Sequence, residues 1–207
     1  MDWVAAAAQR SGRPSVASVS LGGGYLAAVN DAAAQLVSIG VTTVVAAGNS
    51  NTDAASFSPA SAPSVIAVGA TTIADAKAPF SNYGIDVTIW APGAQSICVE
   101  ITGNISSFPL GEDIISTWIE DGVKSISGTS AAAPYVAGYV AYILHGDSSL
   151  SPANIATIIA LTSFKNVLSG IRTFINGSTF ISIRLNSLFL LIASGTPNAL
   201  LNNYGQK

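Results

Sequence analysis

The sequence is poor in cysteine, in histidine and in charge. Its 207 residues include one cysteine, Cys98, and one histidine, His145. A single cysteine excludes an internal disulfide bond and any metal site that is built from several cysteines. The 8 basic residues form no cluster and the formal net charge is −3. We therefore expect no binding to nucleic acid or to anionic lipid.

Targeting signals and long apolar segments are also missing. The first ten residues, "MDWVAAAAQR", lack a basic region and an apolar stretch of adequate length, so we expect no signal peptide there. The most apolar run, "SLFLLIA" at 187–193, falls well short of the roughly 20 residues that cross a bilayer as a helix. These absences predict a soluble protein without a membrane partner.

Apolar residues, by contrast, are abundant. They make up 49% of the chain, against 9% charged residues, which favours one large core and elements that are buried on more than one face. The pattern predicts strands at 15–21, 41–47, 64–72 and 85–90, and helices at 26–39, at 131–144 and after Ser151-Pro152. Strands that alternate with helices in this way indicate an α/β domain with a mainly parallel sheet. No second domain and no internal repeat is indicated.

Ser130 lies in the segment "SISGTSAAAPYVAG" at 125–138, just before an apolar run that ends at Leu144. The first turn of a helix starting there would present free N–H groups and a partial positive charge to the serine. That environment suits a nucleophile, although serine also needs a base and donors for the oxyanion. The alternative is an ordinary N-cap serine. Taken alone, the position leaves both interpretations open.

Three segments in order resemble the subtilisin-like serine proteases, most closely the fungal proteinase K-like branch. "VSLGGG" at 19–24 resembles the substrate-binding strand of that family, and "VVAAGNSN" at 44–51 resembles its oxyanion-hole segment. The 125–138 segment resembles the nucleophile segment. Shorter matches, such as "FSNYG" and "SGTPNALLNN", extend the resemblance over most of the chain. The resemblance implies a subtilisin-like three-layer α/β fold with a mainly parallel sheet, whose N-terminal part is missing.

The resemblance also implies an activity and a set of site residues. It makes this a serine endopeptidase domain that acts on polypeptides, with Ser130 as the nucleophile and the side-chain amide of Asn49 as an oxyanion donor. A primary amide suits that role because it donates a hydrogen bond without titrating. The substrate-binding residues that it implies are Ser20, Leu21, Gly22, Ala46, Ala47 and Gly48.

The catalytic partners of that serine are absent. The family orders its triad Asp, His, Ser along the chain, yet residues 1–129 contain no histidine. His145 follows Ser130 by a helical stretch that corresponds to about 20 Å at 1.5 Å per residue. The early acids Asp2 and Asp31 match no family acid. We therefore expect the C-terminal portion of a catalytic domain, inactive alone, whose partner is a missing N-terminal segment of the same domain.

Two inserts, at about 94–114 and 172–192, interrupt the resemblance within the single partial peptidase domain of residues 1–207. Each contains an N-x-S sequence, at Asn104 and Asn176, which is compatible with a pair of glycosylated surface loops. The second insert is too apolar for an ordinary surface loop, so we favour translated introns. The resemblance further implies that the protein is secreted.

A calcium site is part of the family pattern. Its backbone carbonyls would fall at Pro63 and Val65, but Thr88 stands where the family has an acid, and Asp86 is out of step by two residues. Calcium in proteins needs six or more hard oxygen ligands. We therefore predict no metal and no cofactor.

Two alternatives of other classes stay open. Gly22, Gly24 and Ala27 satisfy the pattern G-x-G-x-x-A, which can cradle a dinucleotide pyrophosphate, although the next strand ends without the acid that would bind a ribose. The chain could also be a pseudoenzyme or fragment that binds peptides along residues 19–22 without cleaving them. Peptide binding measured separately from cleavage distinguishes the latter from a protease.

Overall fold

A largely parallel β-sheet forms the centre of the molecule. The computed structural model describes residues 1–94, 114–119, 122–165, 168–169, 191–192 and 199–200. The sheet has seven strands in the order β1-β3-β5-β6-β10-β11-β9. Their bounds are Val16–Val19 (β1), Thr42–Ala46 (β3), Ile66–Thr71 (β5), Ile89–Pro92 (β6), Phe164–Lys165 (β9), Leu191–Ile192 (β10) and Ala199–Leu200 (β11). The four strands from β1 to β6 pair in parallel, and the other three join them antiparallel.

Four α-helices, one short 3₁₀ helix at Ala54–Ser56 and two small ribbons complete the described structure. The helices are Asp2–Ser11 (α1), Ala27–Ser38 (α2), Thr129–Gly146 (α3) and Pro152–Thr162 (α4). One ribbon pairs Gly23–Gly24 (β2) with Phe57–Ser58 (β4), and the other pairs Ile114–Thr117 (β7) with Val123–Ile126 (β8). Helix α3 packs against β1, β3, β5 and β6, so it spans the parallel part of the sheet.

The central strands are apolar along their whole length because both faces of the sheet are covered. Every residue of β3 and of β5 is buried, and the successive residues Val44 and Val45 are both 0% exposed. Neighbouring residues in a strand point to opposite faces, so burial of both requires packing on both sides. An unbroken apolar run is typical of such parallel strands. A smaller cluster of Ala17, Leu36 and Val41 joins β1 to α1 and α2.

Most elements that the sequence predicts are confirmed. Strands β1, β3 and β5 lie within the predicted segments, and helices α2, α3 and α4 begin and end within a few residues of their predicted positions. Strand β6 begins at Ile89, near the end of the predicted 85–90 segment, and continues to Pro92. At the start of α4, Ser151 Oγ accepts a hydrogen bond of 3.2 Å from the N–H of Asn154, as expected of an N-cap. The β7–β8 hairpin was not predicted.

The two inserts lie largely outside the described residues, and with them the predictions made for Asn104 and Asn176. From the first insert the structure describes Ala94 and the first residue of β7, Ile114. From the second it describes Leu191–Ile192, which form β10 and pair antiparallel with β6 at Trp90 and Ile89.

Within the described part of the chain, no helix is both long and apolar enough to span a membrane.

Candidate active site

Ser130 lies in the first turn of α3. The helix begins at Thr129, and its N-cap is Gly128, which makes no side-chain cap hydrogen bond. The interpretation of Ser130 as an N-cap is therefore wrong, because the cap is two residues earlier. Ser130 is half-buried, and its place in the first turn puts it at the positive end of the helix dipole.

The carbonyl of Ser130 is free of the helical hydrogen-bond ladder because of Pro134. In an α-helix the N–H of residue 134 would bond to the carbonyl of residue 130, but proline has no N–H. Ser20 Oγ instead donates a hydrogen bond of 2.7 Å to the Ser130 carbonyl oxygen. The predicted substrate-binding segment is thus joined directly to the predicted nucleophile.

Asn49 is held in one orientation by the residue before Ser130. The N–H and the Oγ1 hydroxyl of Thr129 both donate to Asn49 Oδ1, at 2.9 Å and 2.8 Å. A backbone N–H needs an acceptor, so these bonds identify the oxygen of the amide. The Nδ2 group, which lies beside Gly128, makes no hydrogen bond within the described residues. Asn49 is thus held by Thr129, the residue before Ser130, and its Nδ2 group remains free to donate a hydrogen bond.

Gly48 and Thr129 complete this contact. The N–H of Gly48 donates a bond of 3.1 Å to Thr129 Oγ1, whose own proton goes to Asn49. Thr129 is fully buried. Gly48 has a φ of +104°, and a Cβ at this position would collide with the amide of Asn82. Only glycine combines that backbone conformation with that close packing.

Thr129 and Asn82 are site residues to which the sequence analysis gave no role. Asn82 is fully buried and bonds to the loop that carries Asn49. Both residues lie in segments that carry the family resemblance, "SISGTSAAAPYVAG" and "FSNYG". The resemblance could have marked them as constrained, but it could not say what their side chains contact.

The predicted substrate-binding residues fall into an exposed and a buried group. Ser20, Leu21 and Gly22 are exposed, and Leu21 has 63% of its surface accessible. Ala46 and Ala47, at the end of β3, are 5% and 0% exposed, and Gly48 is half-buried. Hydrogen bonds link Ser20 to Ser130 and Gly48 to Thr129. Both groups therefore meet at the start of α3.

The glycine-rich turn after β1 is packed by a neighbouring segment. The N–H of Tyr25 donates to the carbonyl of Ser56 and the N–H of Leu26 donates to Ser58 Oγ, both at 2.9 Å. A Cβ on Gly22 would lie 3.0 Å from the carbonyl oxygen of Ser58. The close approach of this segment accounts for Gly22 without a bound pyrophosphate.

The histidine lies far from Ser130 along α3, as the sequence predicted. His145 is exposed in the last turn of α3, at the opposite end of the 18-residue helix from Ser130. Asp2 lies in α1 and Asp31 in α2. No hydrogen bond joins Ser130 Oγ to another group of the described residues. The part of the chain that the structure describes therefore offers this hydroxyl no proton acceptor.

The residues at the family's calcium position do not fit a calcium ion. Thr88 Oγ1 accepts a hydrogen bond of 3.1 Å from the N–H of Ala67 and donates one of 3.4 Å to the Val65 carbonyl. Burial and the negative charge of Asp53 raise the pKa of Asp86. No group of three acidic, histidine or cysteine side chains that could hold a metal occurs among the described residues. Two backbone carbonyls, one of them already bonded to Thr88, together with one carboxyl fall short of the six or more hard oxygens that calcium needs.

Comparison with known proteins then decides the family. The peptidase S8 model, described as the subtilase family, matches residues 1–206. The chain belongs to the subtilase family. The cuticle-degrading protease of Metarhizium anisopliae is 44% identical over 173 residues, which are 83% of this chain and 40% of that protein. The alkaline serine protease ver112 of Corniculantispora psalliotae is 46% identical with the same coverage.

A solved structure confirms the fold of this subtilase chain. The crystal structure of a cold adapted subtilisin-like serine proteinase superposes with a TM-score of 0.75 and 35% identity, over 99% of this chain and 59% of the other. The predicted subtilisin-like α/β fold and the resemblance to fungal proteases are therefore confirmed. The chain spans about 40% of the length of the two curated relatives.

Proposed function

We propose that this chain is the part of a subtilisin-like serine endopeptidase domain that supplies the nucleophile and one oxyanion donor. The observation that carries the proposal is the pair of hydrogen bonds from Thr129 to Asn49 Oδ1, at 2.9 Å and 2.8 Å. They fix the amide next to the residue that bears the candidate nucleophile and leave Nδ2 available as a donor.

In the proposed reaction, Ser130 Oγ attacks the carbonyl carbon of a peptide bond. The carbonyl oxygen becomes an oxyanion that accepts a hydrogen bond from Asn49 Nδ2, close to the positive end of the α3 dipole. The serine proton passes to a base and then to the leaving amine, and water later hydrolyses the acyl-enzyme. Loss of an oxyanion donor costs about 10²–10³-fold in kcat, a magnitude that was measured in subtilisin, a member of this same family.

The base is the component that the described residues do not provide. We infer that a segment carrying the histidine and aspartate joins β1, which lies at one end of the described sheet. The carboxyl end of β1 leads to Ser20, which is bonded to Ser130. A strand added in parallel would end at the same edge. Without such a segment we expect the chain to be inactive.

The proposed substrate is an extended polypeptide. Its backbone would pair with the exposed residues Ser20, Leu21 and Gly22, and one of its side chains would approach the segment from Ala46 to Gly48. The small residues in that segment favour an open apolar pocket and broad specificity. The name of the Metarhizium relative, a cuticle-degrading protease, supports secretion of this protein as well. Calcium and other cofactors are not part of the proposal.

Hydrolysis of a fluorogenic peptide by the full chain and by Ser130→Ala tests this proposal. Alone, the two proteins should release product at the same rate, because losing triad members costs up to about 10⁶-fold in kcat, again a value measured in subtilisin. When the chain is joined behind a subtilase segment that contains the histidine and aspartate, activity should appear and should depend on Ser130. A clear Ser130-dependent rate in the chain alone would contradict the proposed incompleteness. No activity in the joined protein would contradict the proposed function.

A non-catalytic peptide-binding role is the second candidate. Leu21 is exposed and follows Ser20, which bonds to the carbonyl of Ser130, and the described residues give Ser130 no base. These observations favour binding without cleavage. Binding of an uncleavable peptide to Ser130→Ala, combined with an inactive joined protein, would support this role over that of a protease.

A further inference from the structure

Asn82 is a buried polar side chain that the proposed reaction does not use. It lies in the 78–84 segment between β5 and β6, and it is 0% exposed. A buried amide must satisfy its donors and acceptors within the protein. Where these bonds go therefore indicates what the residue does.

All the side-chain hydrogen bonds described for Asn82 go to the loop that carries Asn49. Its Nδ2 donates to the carbonyl of Ala47 at 2.9 Å. Its Oδ1 accepts from the N–H of Ser50 at 2.9 Å and from the N–H of Thr52 at 3.2 Å. Its own N–H donates to the carbonyl of Gly48 at 2.9 Å. These bonds go to residues on both sides of Asn49 along the chain.

The loop needs such support because it contains no helix or strand of its own. Residues 47–52 follow the end of β3, and Ser50, Asn51 and Thr52 are exposed. Gly48 has a positive φ so that the chain passes directly over the Asn82 amide. Backbone bonds join Asn51 to Phe80 and Thr52 to Tyr83. The side chain of Asn82 satisfies the backbone groups that these bonds leave, namely the Ala47 carbonyl and the N–H groups of Ser50 and Thr52.

Asn82 is itself fixed to the central sheet and to its own segment. Ser81 Oγ accepts from the N–H of Ala70 in β5 at 2.9 Å and donates to the carbonyl of Asn82 at 3.0 Å. The Lys77 ammonium donates to the carbonyl of Ser81 at 2.8 Å and to Asn51 Oδ1 at 2.9 Å. Lys77 therefore adds a further side-chain link between the 78–84 segment and the same loop.

We propose that Asn82 is a positioning residue for the oxyanion donor. Its side chain sets the path of residues 47–52, and that path, together with Thr129, aims Asn49 Nδ2 at the place where the oxyanion forms. The inference rests on the proposed role of Asn49 and adds to it the residue that determines its geometry. Asn82 itself touches neither the substrate nor Ser130.

Two substitutions of Asn82 should weaken its hold on the loop to different degrees. Asn82→Ala removes the bonds to Ala47, Ser50 and Thr52. Asn82→Asp keeps an acceptor for the N–H groups of Ser50 and Thr52, but it places a carboxylate oxygen against the Ala47 carbonyl. The matched control is Asn30→Ala, because Asn30 is also a buried asparagine, 6% exposed, and it bonds to Ser61 rather than to this loop.

The first measurement is amide hydrogen exchange in the full chain at low concentration. In Asn82→Ala the amides of Ser50 and Thr52 should exchange at least about 10-fold faster than in the unsubstituted chain, because their acceptor is gone. In Asn82→Asp these amides should stay protected. The amides of β5 should be unchanged in both variants, as should those of Ser50 and Thr52 in Asn30→Ala.

The second measurement uses a peptidyl boronic acid as a probe of the oxyanion geometry. It is made in the chain joined behind a subtilase segment that contains the histidine and aspartate, because Ser130 needs a base to react. Ser130 Oγ would lose its proton to the histidine of the joined segment and form a bond to boron, giving a tetrahedral boronate with one negative charge. The ratio of its affinity to that of the same peptide ending in a carboxamide reports the oxyanion donors and not the peptide contacts. We expect this ratio to fall by about 10-fold in Asn82→Ala, somewhat below the loss of a whole donor, and to fall by less in Asn82→Asp.

The outcomes separate the inference from the function on which it rests. Unchanged exchange at Ser50 and Thr52 in Asn82→Ala, or a boronate ratio that falls equally in Asn30→Ala, would overturn the positioning role. A boronate that binds the joined protein and its Ser130→Ala variant equally would instead refute the proposed function. In that case faster exchange in Asn82→Ala would still support the control of the loop by Asn82.

Discussion

At the scale of single residues, the site depends on side chains that connect distant parts of the sequence. Ser130 and Asn49 were predicted because each lies in a short segment with a family resemblance. Thr129 and Asn82 were not, because their roles are hydrogen bonds to residues 80 and 35 positions away. A local pattern reports local constraints well, but it carries no information on which distant group a side chain will meet.

Substitution of Thr129 tests the contact between the two predicted residues. Thr129→Val keeps the shape of the side chain, yet it leaves the N–H of Gly48 without its acceptor and removes one bond to Asn49. We expect a loss of about 1–3 kcal/mol in the free energy of unfolding, the usual cost of an unsatisfied buried polar group. Denaturant unfolding measures it. Thr129→Ser, which keeps the hydroxyl, should lose less than half as much, and an equal loss in both variants would contradict the account.

The pKa of Asp86 predicts a pH dependence of stability. Burial, and then the charge of Asp53, raise this pKa above its ordinary value of 3.8. Below pH 3.8 the carboxyl is protonated in both the folded and the unfolded state. As the pH rises through the raised pKa, ionisation costs the folded state more than the unfolded state, so stability is lost. Asp86→Asn should therefore raise Tm at neutral pH and leave it unchanged below pH 3.8. A Tm that is equally raised at both pH values would contradict this.

At the scale of elements, the parallel strands and the helices were the easier part to predict. Strands β3 and β5 are unbroken apolar runs because both faces are covered, and α2 and α4 have apolar spacing and clear ends. The β7–β8 hairpin has no such pattern. Its residues Trp118 and Val123 are exposed by 47% and 74%, and the Lys124 ammonium lies 4.3 Å from the Trp118 ring centroid. A hairpin that exposes apolar residues lacks the regular spacing of apolar and polar residues by which strands are predicted from sequence.

The start of α3 yields a prediction about two coupled residues. Ser20 Oγ bonds to the carbonyl of Ser130 because Pro134 cannot. Ser20→Ala should cost about 1 kcal/mol in the free energy of unfolding. In a Pro134→Ala background the N–H of residue 134 can donate to the Ser130 carbonyl. Ser20→Ala should therefore cost less free energy of unfolding in that background. A double-mutant cycle measures the coupling. If the costs of the two substitutions simply add, the missing N–H of Pro134 is not the reason that Ser20 bonds to the Ser130 carbonyl.

At the scale of the whole molecule, the sheet ends at β1 in the part of the chain that the structure describes. On one side β1 pairs with β3, and on the other no strand is described. Helix α1 lies nearby with no buried residue, and Trp3 is 77% exposed. Open strand edges pair readily with other chains.

The isolated chain should therefore self-associate as its concentration rises. Ser18 is exposed on β1, and a lysine on an edge strand opposes strand pairing. We expect Ser18→Lys to shift the association midpoint to higher concentration in analytical ultracentrifugation, by about 10-fold or more, equivalent to 1.4 kcal/mol. Gln9→Lys, on the exposed face of α1, is the charge control. A chain that stays monomeric at high concentration, or an equal shift in both variants, would contradict the role of β1.

We propose that Ser130 has an oxyanion donor in Asn49 but no base among the described residues. Labelling of the pure chain by a fluorophosphonate, with mass spectrometry to locate the modified residue, tests it most directly. We predict that Ser130 reacts no faster than an ordinary surface serine in the chain alone, and rapidly once a segment with the histidine and aspartate is joined to it. Rapid labelling of Ser130 in the chain alone would contradict the account.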